Sequence, residues 1–138
     1  MLHLATSVPA DLIISVRADL PRGLKATTDG RRTIWLAKGL TDVEAKCAIH
    51  HELVHIKHGH TRRQPAWVEQ RVREETARTL IGLHDLHWAW KRSRSIYEMA
   101  DELGVTEHVL TDRLDALTEH ESHALFGWAM TECETIGA

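Results

Sequence analysis

His51-Glu52-Leu53-Val54-His55 lies inside an apolar run that is compatible with a helix. On an α-helix, residues four apart stand one turn above the other on one face. The pentad therefore aims two imidazoles at one point and sets a carboxylate beside them. Such an arrangement can hold Zn²⁺ and leave a base next to the water that the metal carries. Ala45, Ala48, Ile49, Leu53, Val54 and Ile56 give this helix a side to bury. Thr41-Asp42-Val43-Glu44 reads as its start, with Thr41 as N-cap and Glu44 closing a capping box. Gly59 reads as its stop. The spacing predicts a helix over about residues 42–58. The competing reading is a His-rich tract that binds metal without catalysis: the chain has 11 histidines, and His50, His58 and His60 crowd this segment.

Outward from the pentad, residues 8–20 predict a first helix with Pro9 in its first turn, closed by Pro21 and Gly23. Leu24 to Thr27 and Thr33 to Leu36 are short β-leaning runs around Asp29-Gly30, a hairpin signal. Gly59 to Pro65 is a polar turn. A second long helix is expected from about Ala66 to Leu83, and two or three short helices over about residues 94–131. The expected fold is α+β and mostly helical, a zincin-like helix pair with a small β-hairpin or sheet and C-terminal helices. Residues 1–92 read as the core and 93–138 as a C-terminal helical segment packed on it.

The chain is long enough for one domain, and 43% hydrophobic residues supply a core. No apolar run approaches the roughly 20 residues that span a membrane, so no membrane partner is expected. Residues 1–19 carry no basic region followed by an apolar block, the pattern of a secretory signal. Cys47 and Cys133 make no disulfide framework, and Cys47 reads as a small buried residue. A reducing cytoplasm is the expected location. The net charge of −3 offers no global argument for nucleic acid.

A catalytic zinc usually keeps three protein ligands. Thr61 stands where a third histidine six residues past the pentad would lie, so a carboxylate of the next helix must serve. Glu69, Glu74 and Glu75 are the candidates. At about 100° per residue, Val72, Thr76 and Leu80 form one stripe, and Glu69 falls on it. Glu74 sits nearer Ala77 and Ile81, and Glu75 points away. A Glu on a buried stripe is costly unless paired or metal-bound. With the chain reversing near residue 62, Glu69 lies level with His55 and Glu74 with His51. Glu69 is the favoured third ligand beside His51 and His55, with Glu74 second. Glu52 is then the general base. For an oxyanion donor, His50, His58, His60, His84 and His87 are candidates, each with a packing or surface role as the plainer alternative. The run Thr33 to Leu36 is a candidate edge for pairing with an extended substrate.

Ser95 to Leu110 has helix-turn-helix grammar. Ala100 sits at the crossing, Gly104 at the turn, and Thr106 as N-cap of the second helix. That helix presents Glu107, His108, Thr111, Asp112, Arg113 and Asp115, poor chemistry for phosphates. This argues against DNA binding and for a lid or a docking surface. Trp67, Trp88, Trp90 and Trp128 read as core residues or interface anchors.

Three stretches resemble the ImmA/IrrE family of metallo-endopeptidases, in particular its short forms from actinobacteria and their phages. They are Asp29-Gly30-Arg31-Arg32-Thr33-Ile34-Trp35-Leu36, His50 to His60 around the pentad, and Val68-Glu69-Gln70-Arg71-Val72 through Thr76 to Ile81. The third resembles the family's Glu-x-x-Ala-Asn/Asp segment, with Val72 for Ala and Arg73 for the polar residue. The resemblance covers about residues 24–117 and itself favours Glu69 as ligand. It implies a zinc peptidase similar to an antirepressor, which cleaves a helix-turn-helix repressor. The rival classes are a zincin-like regulator that binds a repressor without cutting it, and a helix-turn-helix DNA-binding protein.

Overall fold

The computed structural model describes residues 8–136, and side chains over residues 8–127. Side chains of Trp128 and Cys133 lie outside the described residues, as does the stretch before Val8. Three strands come first: β1 (Ile13–Arg17), β2 (Ala26–Thr28) and β3 (Thr33–Ala37). The helices are α1 (Asp42–Lys57), α2 (Ala66–Leu80), α3 (Leu83–Arg92), α4 (Ile96–Leu103), α5 (Glu107–Asp115) and α6 (Glu119–Ile136). The fold is α+β and mostly helical, as the sequence predicts.

The sheet order is β1-β3-β2, with β1 parallel and β2 antiparallel to β3. The expected hairpin is present. Its turn is tied by Asp29, whose Oδ1 accepts from the amides of Arg31, Arg32 and Thr33 at 2.9, 3.0 and 3.1 Å. The helix expected over residues 8–20 is absent. Pro9 makes a single turn, with the Leu12 amide donating to its carbonyl, and the chain then becomes β1. Ile13-Ile14-Ser15-Val16 is largely β-branched, which favours an extended chain. Its backbone partners come from β3, from Ile13 opposite Thr33 to Arg17 opposite Ala37.

Helix α1 opens on the expected capping box. Thr41 Oγ1 accepts from the Glu44 amide and Glu44 Oε1 from the Thr41 amide, both at 3.1 Å. It ends at His58, and Gly59 leaves with φ of +68°. The helix lies between two apolar clusters. Leu53 joins Ala26, Ile34 and Leu36 under the sheet, whereas Cys47 joins Ile81, Leu86, Met99, Ala100, Val105 and Leu110 from α3 to α5. Full burial of a residue such as Ile34 or Leu53 stabilises by about 1.5–3 kcal/mol. The expected second helix ends at Leu80, earlier than Leu83. Ile81 leaves the helix with φ of −127° and is completely buried, and Gly82 caps α3, which the sequence reading did not anticipate.

Thr106 caps α5 and Gly104 turns the chain with φ of +65°, as the helix-turn-helix grammar anticipates. Arg113, the one basic side chain on α5 besides the histidine, faces inward. It is 3% exposed and its Nε donates to the Ile81 carbonyl at 2.8 Å. Trp67 and Trp88 are exposed, whereas Trp90 packs edge-on against Phe126.

One contact locks the sheet to the helix pair. Gly30 has φ of +76°, and a Cβ there would lie 2.2 Å from the His60 carbonyl oxygen. Both the left-handed backbone and the backbone-to-backbone approach require glycine. Gly30→Ala is expected to lower unfolding stability by about 2 kcal/mol or more, read as a shift in the urea midpoint at constant m-value.

Candidate metal centre

Helices α1 and α2 are joined by the turn 58–65, so they pack side by side with their facing stripes opposed. His51 and His55 stand on the α1 stripe and Glu69 on the first turn of α2. His51 Nε2 lies 3.5 Å from Glu69 Oε2, and His55 Nε2 lies 3.3 Å from Glu69 Oε1. One donor atom from each of the three falls within 4.8 Å of the others. Among the described residues this is the one such group of three or more metal-ligating side chains. Glu74 does not join it: its carboxylate accepts from Gln70 Nε2 at 3.4 Å. Glu75 turns outward to Lys57 and His58, at 2.5 and 2.6 Å.

The environment favours neutral imidazoles. Burial, and then the neighbouring His55, pushes the His51 imidazole well below its ordinary range, against the pull of Glu69. Burial lowers His55 in the same direction. Glu52 is 8% exposed, and burial, helped by the Glu69 charge, raises its carboxyl to about 7. A carboxyl buried beside two neutral imidazoles can accept and return a proton near neutrality. A divalent cation among these groups would shift Glu52 back towards the carboxylate.

A cleft of about 1250 Å³ opens on His51, Glu52, His55 and Glu69. Ala26, Thr27 and Thr28 of β2 line it. Here the structure corrects the expectation for the pairing strand. Thr33 to Leu36 belongs to the central strand β3, both of whose edges are taken. Among the described residues, the free edge beside the site belongs to β2.

Of the five histidines considered as oxyanion donors, only His60 lines this cleft. Its Nδ1 lies 3.0 Å from His55 Nδ1, on the opposite side of that ring from Glu69. His50 is buried with Nε2 lacking a partner, His58 is held by Glu75, and His84 and His87 pack on Trp88 and Trp90. The sequence reading missed two groups that tertiary packing adds. Arg73 lines the cleft, with Asp112 of α5 at 3.9 Å from its Nε. A second cavity of about 540 Å³ brings His108 of α5 to the other side of His51 and Glu52. Arg73 stands one helical turn after Glu69, a spacing legible in the sequence, whereas no local signal marks His108, because α5 reaches the site only by packing on α2.

No curated protein and no solved structure gives a significant match to the chain. The family model described as the IrrE N-terminal-like domain, of the M78 peptidases, matches residues 13–115. That span begins with β1 and ends with α5, so it takes in the sheet, the pentad helix and the helix that carries Glu69. Matched over well beyond half of its length, this chain belongs to the M78 peptidase family.

Proposed function

We propose that this protein is a zinc-dependent endopeptidase that hydrolyses a peptide bond in a regulatory protein, a helix-turn-helix repressor, in the manner of an antirepressor. The observation that carries the reading is the convergence of His51, His55 and Glu69 with Glu52 buried beside them. The donors fit the metal. Two imidazole nitrogens and a carboxylate are a common catalytic zinc set. Bonds of about 2.0–2.1 Å at tetrahedral angles put neighbouring donors about 3.4 Å apart, and the two histidine-to-Glu69 separations are 3.5 and 3.3 Å.

When bound, zinc supplies Lewis acidity, polarising the scissile carbonyl and making water acidic enough to attack near neutral pH. The remaining steps belong to side chains. His51 and His55 act through neutral nitrogens facing Glu69, and Glu69 completes the tripod. Glu52 takes the proton from water and returns it to the leaving amine. His60 orients His55: with His55 Nδ1 as donor to His60, Nε2 is left bare towards Glu69. The β2 edge offers backbone groups to an extended chain. Residues 93–138 act as a lid or as a docking surface for the repressor, with no role for DNA.

The support for zinc chemistry is the donor set, and the support for a repressor as substrate is the family resemblance. The test is incubation of the zinc-loaded protein with helix-turn-helix repressors from the same genome, any encoded by a neighbouring gene first, followed by mass spectrometry of the products. A single defined cut that a chelator abolishes is the expected result. An intact repressor with metal bound would replace this reading by a non-cutting regulator. His60→Ala is expected to weaken zinc binding by about tenfold, the low end for loss of a supporting group, measured by chelator competition. His60→Asn, which can still accept from His55, should recover most of it.

A further inference from the structure

The cleft carries a charge that the whole chain does not. The net charge is −3, yet four guanidinium groups line the cleft: Arg22, Arg62, Arg63 and Arg73. The lining carboxylates are Glu52 and Glu69 alone. A divalent ion held by the triad would offset those two. Arg73 has Asp112 beside it. Arg22, Arg62 and Arg63 are exposed and have no ion-pair partner among the described residues. Elsewhere on the surface, Arg17, Lys25, Arg32, Lys57, Arg78 and Arg92 face carboxylates, whereas Arg31, Lys38, Arg71, Lys91 and Arg94, like those three cleft arginines, have no ion-pair partner among the described residues. What sets the cleft apart is grouping: three unpaired arginines line the same cleft as the candidate metal centre, and its lining holds no carboxylate besides Glu52 and Glu69.

Their positions are ordered. Arg22 lies in the loop that leads into β2. Arg62 and Arg63 follow Thr61, whose Cα sits against Gly30 in the turn that leaves β2. The cations thus flank both ends of the free β2 edge. That edge is three residues long, about 10 Å at the usual rise. An extended chain laid along it would carry its neighbouring side chains past arginines on both sides.

We propose that the cleft selects peptide segments with Asp or Glu on both sides of the scissile bond, read by Arg22 at one end and by Arg62 and Arg63 at the other. This rests on the peptidase reading above and names its substrate class. Guanidinium groups suit carboxylates because their fork of donors matches the two oxygens.

The test uses the zinc-loaded protein and a peptide mixture made by digesting a proteome with a protease that cuts after aromatic residues. New termini are sequenced, and acidic and basic residues are counted around each cut. Three exposed charge pairs, each a factor of roughly two, predict acidic over basic enrichment of about tenfold. In Arg22→Glu/Arg62→Glu/Arg63→Glu the preference should reverse. These residues are exposed, and zinc content and circular dichroism check that the fold is kept. Cuts without acidic enrichment, or an unchanged profile in the variant, overturn the proposal and leave the peptidase reading intact.

A binding arm separates the two ideas. Labelled 12-residue Glu/Ala and Lys/Ala peptides and a 12-nucleotide single-stranded DNA are titrated into the zinc-loaded Glu52→Gln protein. Tighter binding of the acidic peptide, weakened by salt and lost on charge reversal, supports the proposal. If that preference appears while neither a mixture peptide nor a repressor is cut, the peptidase reading fails and acidic recognition stands. Equal binding of both peptides, or stronger binding of the DNA, overturns acidic recognition.

Discussion

Glu52→Gln is expected to keep zinc and to lower repressor cleavage by about 10²-fold or more, the scale of lost general acid–base catalysis. The substitution preserves size and shape, so the buried position on α1 is not disturbed. It removes the group that can carry the proton. Glu52 is 8% exposed and lines the cleft beside His51, His55 and Glu69, where no other side chain outside the triad offers a carboxylate. The measurement pairs single-turnover cleavage with zinc content by metal analysis. Retained zinc with an unchanged rate would remove Glu52 from the mechanism. Retained zinc with no cleavage by either form would favour a regulator that binds its repressor without cutting. A repressor held by the variant and cut by the parent protein is the expected outcome.

Glu69→Ala should abolish stable zinc binding, whereas Glu74→Ala should leave it intact. One tripod member is lost in the first case, and the affinity should fall by more than the roughly 10–100-fold that loss of a supporting group costs. The effect also appears in stability. Free zinc at 100 times its dissociation constant stabilises the folded chain by about 2.7 kcal/mol. Thermal unfolding with and without zinc should therefore show a clear upward shift for the parent protein and for Glu74→Ala, and none for Glu69→Ala. The geometry gives the reason: the Glu69 oxygens lie 3.5 and 3.3 Å from the two imidazoles, while Glu74 is engaged with Gln70. The opposite pattern would make Glu74 the ligand.

Much of the candidate centre was legible because it is local. The distance between His51 and His55 is set by one helical turn, whatever else the chain does. The start of that helix is closed by Thr41 and Glu44, three residues apart, and its end by Gly59. The same holds for the β2–β3 turn around Asp29-Gly30 and for the Thr106 cap of α5. Glu69 was legible by a weaker route. Helical periodicity placed it on the buried stripe of α2, and the antiparallel return set it level with His55. The structure puts it between both imidazoles.

Other features depend on partners far away in the chain. Val8 to Leu20 could be read as a helix because its apolar residues fit that spacing too. Its centre, Ile13–Arg17, is a strand because the open edge of β3, some twenty residues later, takes its backbone groups. The end of α2 depends on Ile81, which leaves the helix to fill the cluster built by α3, α4 and α5. The pairing edge moved from β3 to β2 for the same reason, since β1 closes the far side of β3. The cleft arginines are the clearest case. Arg22, the adjacent pair Arg62 and Arg63, and Arg73 come from three separate segments, and nothing in the spacing between those segments makes them neighbours. Caps, turns and i,i+4 pairs act within a few residues and can be read in order along the chain. Convergence of distant side chains requires the packed sheet and helix pair, so the charge of the cleft exists only in three dimensions.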